Sequence, residues 1–105
     1  MLTQNAVIEK VRNYAKEINN SGVNLRKVIL FGSYAKGTQH EWSDIDVALV
    51  ADDFSGVGFL DRQHFSDIGI KKSYIGIEPR TYPTDYFIKS DPFIEEIKKT
   101  GIEII

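Results

Sequence analysis

The sequence predicts an α/β domain, a small β-sheet flanked by helices, and three observations predict it. Two apolar runs of strand length, Val28-Ile29-Leu30-Phe31 and Val47-Ala48-Leu49-Val50, stand close together in the chain. Segments with helical periodicity precede and follow them, so helices alternate with strands. Between the runs lie Gly32-Ser33 and, ten residues later, Asp44-Ile45-Asp46. Small and acidic residues at strand ends mark a functional edge of a sheet.

The elements follow in order. Thr3 is placed to cap a first helix, with Val7, Val11, Tyr14, Ala15 and Ile18 along its apolar face and Asn19-Asn20-Ser21-Gly22 ending it. Residues 27–31 read as a buried strand, 33–36 as a short helical turn and 37–42 as a loop. Residues 43–50 form the second strand, with Asp44, Asp46 and Ala48 on one face and Ile45, Val47 and Leu49 on the other. Residues 52–58 read as a mobile polar loop. A second helix is expected over 60–72, with Leu60, His64, Phe65 and Ile68 on one side. Residues 74–78 read as a third strand stopped by Pro79. Residues 81–90 read as turn-rich, with Tyr82, Tyr86 and Phe87 packing the last helix onto the sheet. That helix starts at Asp91-Pro92, in the N-cap and N1 positions, and runs to Gly101. Residues 102–105 suit a short edge strand, which a second copy of the chain can pair with.

Bulk properties narrow the function classes. A chain of 105 residues fits one small domain, here taken as 1–105. A net charge of −2 argues against a broad nucleic-acid-binding surface, which needs clustered Lys and Arg. The absence of cysteine excludes disulfides, zinc–thiolate sites and cysteine nucleophiles. No apolar stretch approaches the roughly 18–20 residues of a membrane span, and the N-terminus lacks a signal-peptide core, so the expected location is cytoplasmic.

The chemistry lies in the motif between the strands. Two aspartates one residue apart on a strand share a face, about 6–7 Å apart along the chain, and can hold divalent metal. Magnesium prefers hard oxygen ligands and takes a few carboxylates plus phosphates. A carboxylate from a neighbouring strand completes such a site; Glu78 is the candidate, with Asp85 a weaker one. Gly32 and Ser33 open a helical turn whose N–H groups attract anions, and Lys36 stands one turn on. The parts together point to phosphoryl or nucleotidyl chemistry. Trp42 reads as a packed or half-exposed loop aromatic, and His40 and His64 lack metal-ligand spacing.

Gly32-Ser33-Tyr34-Ala35-Lys36-Gly37, the ten-residue spacing and Ser43-Asp44-Ile45-Asp46-Val47 resemble the DNA polymerase β-like nucleotidyltransferase superfamily, in its minimal single-domain form. The resemblance implies a polymerase β palm-like fold with a small mixed sheet. It implies Gly32 and Ser33 as nucleotide-phosphate residues and Asp44 and Asp46 as metal ligands, with Glu78 as third carboxylate. It further implies ATP as donor, magnesium in a two-metal site, and transfer of AMP to a hydroxyl of a partner, a toxin of the HEPN family. The alternative is an antitoxin-like binding module that neutralises its partner by contact, with little or no catalysis. A transferase acting on a small molecule fits less well, because no second domain is available to recognise it.

Overall fold

The computed structural model describes residues 2–105. The chain opens with helix α1 (Gln4–Asn20), capped by the Thr3 hydroxyl, which accepts from the Ala6 N–H. Val7, Val11, Tyr14, Ala15 and Ile18 are buried, as the helical spacing requires. Strand β1 (Leu25–Phe31), helix α2 (Ser33–Lys36) and strand β2 (Ile45–Ala51) follow. Two short helices, α3 (Gly58–Arg62) and α4 (Ser66–Gly69), lead to strand β3 (Ile77–Pro83). Helices α5 (Thr84–Lys89) and α6 (Pro92–Thr100) precede a last strand, β4 (Ile102–Glu103).

The four strands form one mixed sheet in the order β3-β2-β1-β4. β2 pairs antiparallel with β1 and parallel with β3, and β4 pairs antiparallel with β1. This is the α/β fold with a small mixed β-sheet flanked by helices that the sequence predicts.

The strand period of two divides the sheet's faces. Ile45, Val47, Leu49 and Ala51 join Val28, Leu30 and the buried face of α1 in the larger core. Ile29, Ala48, Val50 and Tyr82 pack on the other side against Phe87, Ile94 and Ile97 of α5 and α6. Those two helices are short and cover only part of that second face. Toward the start of β2 and β3 the same face carries Phe31, Asp46, Glu78 and Arg80, which line an open cleft. The cleft exists because the covering layer stops before the sheet does.

Four sequence expectations are corrected, the first being the turn-rich stretch at 81–90, which instead holds the end of β3 and helix α5, with Tyr82 and Phe87 packed and Tyr86 exposed. The third strand does not span 74–78: Tyr74 lies in a 3₁₀ turn, Gly76 adopts φ +100°, and β3 starts at Ile77. It then continues through Pro79 to Pro83. Proline is tolerated there because β3 is an edge strand, where a missing N–H costs no ladder bond. The expected single helix over 60–72 is broken into α3, a 3₁₀ turn and α4. Phe65 leaves the helical region (φ −140°), and Leu60 is exposed while Asp61 is buried. Trp42 is 83% exposed rather than packed. The short edge strand at the C-terminus forms as expected, with Lys27 of β1 paired to Glu103 across it.

Candidate active site

Gly32 leaves β1 with φ +76°, a conformation that L side chains rarely adopt. A Cβ at this position would lie 2.4 Å from the Asp46 Oδ2. Both the backbone angle and the close approach therefore require glycine. The Gly32 carbonyl accepts from the Ala35 and Lys36 N–H groups, each at 3.1 Å, and so starts α2. The first N–H groups of a helix have no partner within it. Gly32→Ala is expected to cost about 1–3 kcal/mol of stability, read by thermal unfolding, and to displace the Asp46 carboxylate.

The loop after α2 is organised by Ser43. Its hydroxyl accepts from the His40 N–H at 2.9 Å, and its own N–H donates to the His40 carbonyl at 3.0 Å. Asp44 follows, exposed, just before β2 begins. Asp46 is the second residue of β2 and is half-buried. In register it stands between Phe31 of β1 and Glu78 of β3. Asp44, Asp46 and Glu78 all line the cleft, a cavity of about 440 Å³. Asp85 lies in α5 and is not part of that lining.

Burial raises the Asp46 carboxyl above the ordinary carboxylate range, and the neighbouring Asp44 and Glu78 charges raise it further; Arg80 acts in the opposite sense. Like charges are thus held together without a full counter-charge. Such a group accepts a divalent cation readily. Among the described residues, no three acidic or histidine side chains converge closely enough to form a complete metal cage. Magnesium does not need one, since it usually takes one or two carboxylates and completes its shell with phosphate oxygens and water.

A second cavity, of about 330 Å³, adjoins the cleft and is lined by Gly32, Lys36, Asp46 and Arg80 together with Phe93 and Glu96. Lys36 reaches this rim with its Nζ 3.9 Å from the Glu96 Oε1. The structure therefore places Gly32, Lys36 and Asp46 around one cavity, and Asp44, Asp46 and Glu78 around its neighbour. Ser33 is the first residue of α2, half-buried.

Sequence reasoning missed two residues. Arg80 lines both cavities. The sequence hides it because Pro79 reads as the end of the strand; continued alternation puts residues 78, 80 and 82 on one face. Asp61 is fully buried among polar partners. Its carboxylate accepts from the Ser55 N–H (2.8 Å) and hydroxyl (2.9 Å), the Gly56 N–H (2.9 Å) and the Thr81 hydroxyl (2.7 Å). It ties the 52–57 loop to β3 beside the cleft, where a mobile loop was expected.

Residues 8–104 match the nucleotidyltransferase domain family. A Methanocaldococcus jannaschii protein provisionally named protein adenylyltransferase MJ0141 is 32% identical over 102 residues, covering 93% of this chain and 98% of that protein. The protein adenylyltransferase MntA of Shewanella oneidensis is 40% identical over 52 residues, covering 50% of this chain and 32% of its own length. Two solved structures share the fold at 20% identity. One, provisionally described as a nucleotidyltransferase from Sulfolobus solfataricus, has a TM-score of 0.67 over 95% of this chain and 80% of that one. The other, a toxin-antitoxin structure with AMP-PNP, has a TM-score of 0.62 over 90% of this chain and 72% of that one. The cleft at the Gly32-Ser33 turn and the Asp44-x-Asp46 strand is accordingly that of a chain that belongs to the nucleotidyltransferase domain family.

Proposed function

We propose that this chain transfers AMP from ATP, with magnesium, onto a hydroxyl group of a partner protein. One observation carries the reading: the uncovered half of the sheet gathers Asp44, Asp46 and Glu78 beside Gly32, whose Cα packs on the Asp46 carboxylate. Nucleotidyltransferases of this family generally use a nucleoside triphosphate and magnesium. Relatives named as protein adenylyltransferases support a protein acceptor. The neighbouring toxin-antitoxin fold with AMP-PNP supports an adenine nucleotide donor and a partner chain. The HEPN family is the partner class that the sequence resemblance implies.

In this reading Gly32 and Ser33 hold the terminal phosphates through backbone N–H groups and the Ser33 hydroxyl. Lys36 and Arg80, which line the same cavity, supply positive charge. Asp44 and Asp46, with Glu78, are the residues that would hold magnesium. Bound there, magnesium would neutralise the phosphate charge and make the acceptor hydroxyl easier to deprotonate. The acceptor hydroxyl gives up its proton to solvent and its oxygen bonds to the α-phosphorus as the bond to the α–β bridging oxygen breaks, and pyrophosphate leaves. The chain's share of the rate is positioning and charge compensation, with no protein nucleophile required.

Contact inhibition without transfer is the second reading, favoured by the absence, among the described residues, of three carboxylates close enough to form a complete metal cage. One assay separates the two. The protein is incubated with the product of its neighbouring gene, ATP and magnesium, and the partner's activity is followed. Inhibition that needs ATP and disappears in Asp44→Ala supports transfer. Inhibition that survives Asp44→Ala and Asp46→Ala together leaves contact alone.

A further inference from the structure

We propose that the cavity walled by Tyr82, Tyr86 and Phe93 receives the nucleobase of the donor nucleotide by stacking, with Arg80 standing between base and phosphates. The inference rests on the reading of the chain as a nucleoside-triphosphate enzyme and deepens it.

Continuity comes first. This cavity, about 480 Å³, shares Arg80 and Phe93 with the Gly32–Lys36 cavity, and Gly56, Arg80 and Thr81 with the carboxylate cleft. A nucleotide whose phosphates lie at Gly32 can extend directly into it. The apolar cavity at the other end of the cleft, lined by Phe59, Ile70 and Tyr74, shares Arg62, Glu78 and Pro79 with the cleft. It shares no residue with the Gly32 cavity. That side is left for the acceptor.

The aromatic walls are preset. Tyr86 is 47% exposed, yet its hydroxyl donates to the Asp91 Oδ2 at 2.6 Å and its ring lies within 4° of parallel to Tyr82. Asp91 in turn is fixed as the cap of α6, accepting from the Ile94 N–H at 2.8 Å. Phe93 is 44% exposed and is held edge-on against Phe31, with the Arg80 guanidinium 4.7 Å from its ring centre. Exposed aromatic rings held in fixed planes beside a cation form a stacking platform for a base. Stacking is tolerant of base identity, and the larger ring system of a purine gains most from it.

The test compares Mg-ATP with Mg-tripolyphosphate by calorimetric titration of the parent, Tyr86→Ala, Tyr86→Phe and Phe93→Ala. Tyr86→Ala and Phe93→Ala are each expected to weaken ATP about tenfold, the scale of one base–aromatic stack. Tyr86→Ala, whose ring lies outside the Gly32–Lys36 cavity, should leave tripolyphosphate within about twofold, and Tyr86→Phe, which keeps the ring, should bind ATP within about threefold of the parent. Thermal melts identify any variant that fails to fold, and Tyr86→Leu then replaces it as the stack-removing variant. Equal affinity of the parent for ATP and tripolyphosphate overturns the base site alone. So does an effect of Tyr86→Ala that is the same for both ligands. No binding of either ligand by the parent overturns the donor reading and the base site with it.

Discussion

Asp46→Asn is expected to lower nucleotidyl transfer by at least about 10²–10³-fold while leaving the protein as stable as the parent, or more so. Asp46 is half-buried, and burial with the Asp44 and Glu78 charges disfavours its ionised form. The fold therefore holds this carboxylate against its own electrostatic preference. An isosteric amide removes the repulsion and keeps the shape that packs against Gly32. Stability that rises or holds while function disappears is the expected signature of a strained functional group. Thermal unfolding at pH 7 together with the transfer assay measures both. A fall in Tm of more than about 5 °C would show that Asp46 serves the fold instead.

Asp61→Ala is expected to do the reverse, costing about 3 kcal/mol or more of stability. The Asp61 carboxylate accepts four hydrogen bonds, and its removal leaves the Ser55 and Gly56 N–H groups and two hydroxyls without their partner. For a chain of this size the loss corresponds to a fall in Tm of roughly 10–20 °C. Burial alone would raise the carboxyl, but the bonds from Ser55, Thr81 and Gly56 outweigh it and hold it below the ordinary range. The folded state thus releases this proton more readily than the unfolded chain does. The stabilisation is full above the unfolded value of about 3.9 and is lost as pH falls through the lower folded value. Asp61→Asn should accordingly flatten the acid limb of the stability curve. An acid limb unchanged by the substitution would show that Asp61 does not carry the acid sensitivity of the fold.

The two central strands and the first and last helices are legible in the sequence because local and global signals agree there. β1 and β2 are buried apolar runs, α1 has an unbroken apolar face, and Asp91-Pro92 caps α6 as its position in the chain requires. Asp44 and Asp46 are legible because they stand together where an apolar strand run begins, Asp44 just before β2 and Asp46 within it. β3 is misread because proline reads as a strand breaker, and only the sheet order reveals an edge position where proline is tolerated. Arg80 is lost with it. Asp61 is illegible for another reason. An acid one residue from Leu60 in a helix-like stretch reads as a solvated face, and its partners Ser55 and Thr81 approach it only through the fold. The relation of Glu78 to Asp46 is likewise a matter of register between strands 32 residues apart, which no local pattern specifies.

Nucleotidyl transfer at the Asp44-x-Asp46 cleft would carry the α-phosphate of ATP, and not the γ-phosphate, to the partner. Parallel reactions with ATP labelled at the α- or the γ-phosphate, in the presence of magnesium and the product of the neighbouring gene, measure this. Covalent label is expected on the partner from α-labelled ATP only, abolished by chelation of magnesium and by Asp46→Asn. Label from γ-labelled ATP, or α-label transfer that persists in Asp46→Asn, would contradict it.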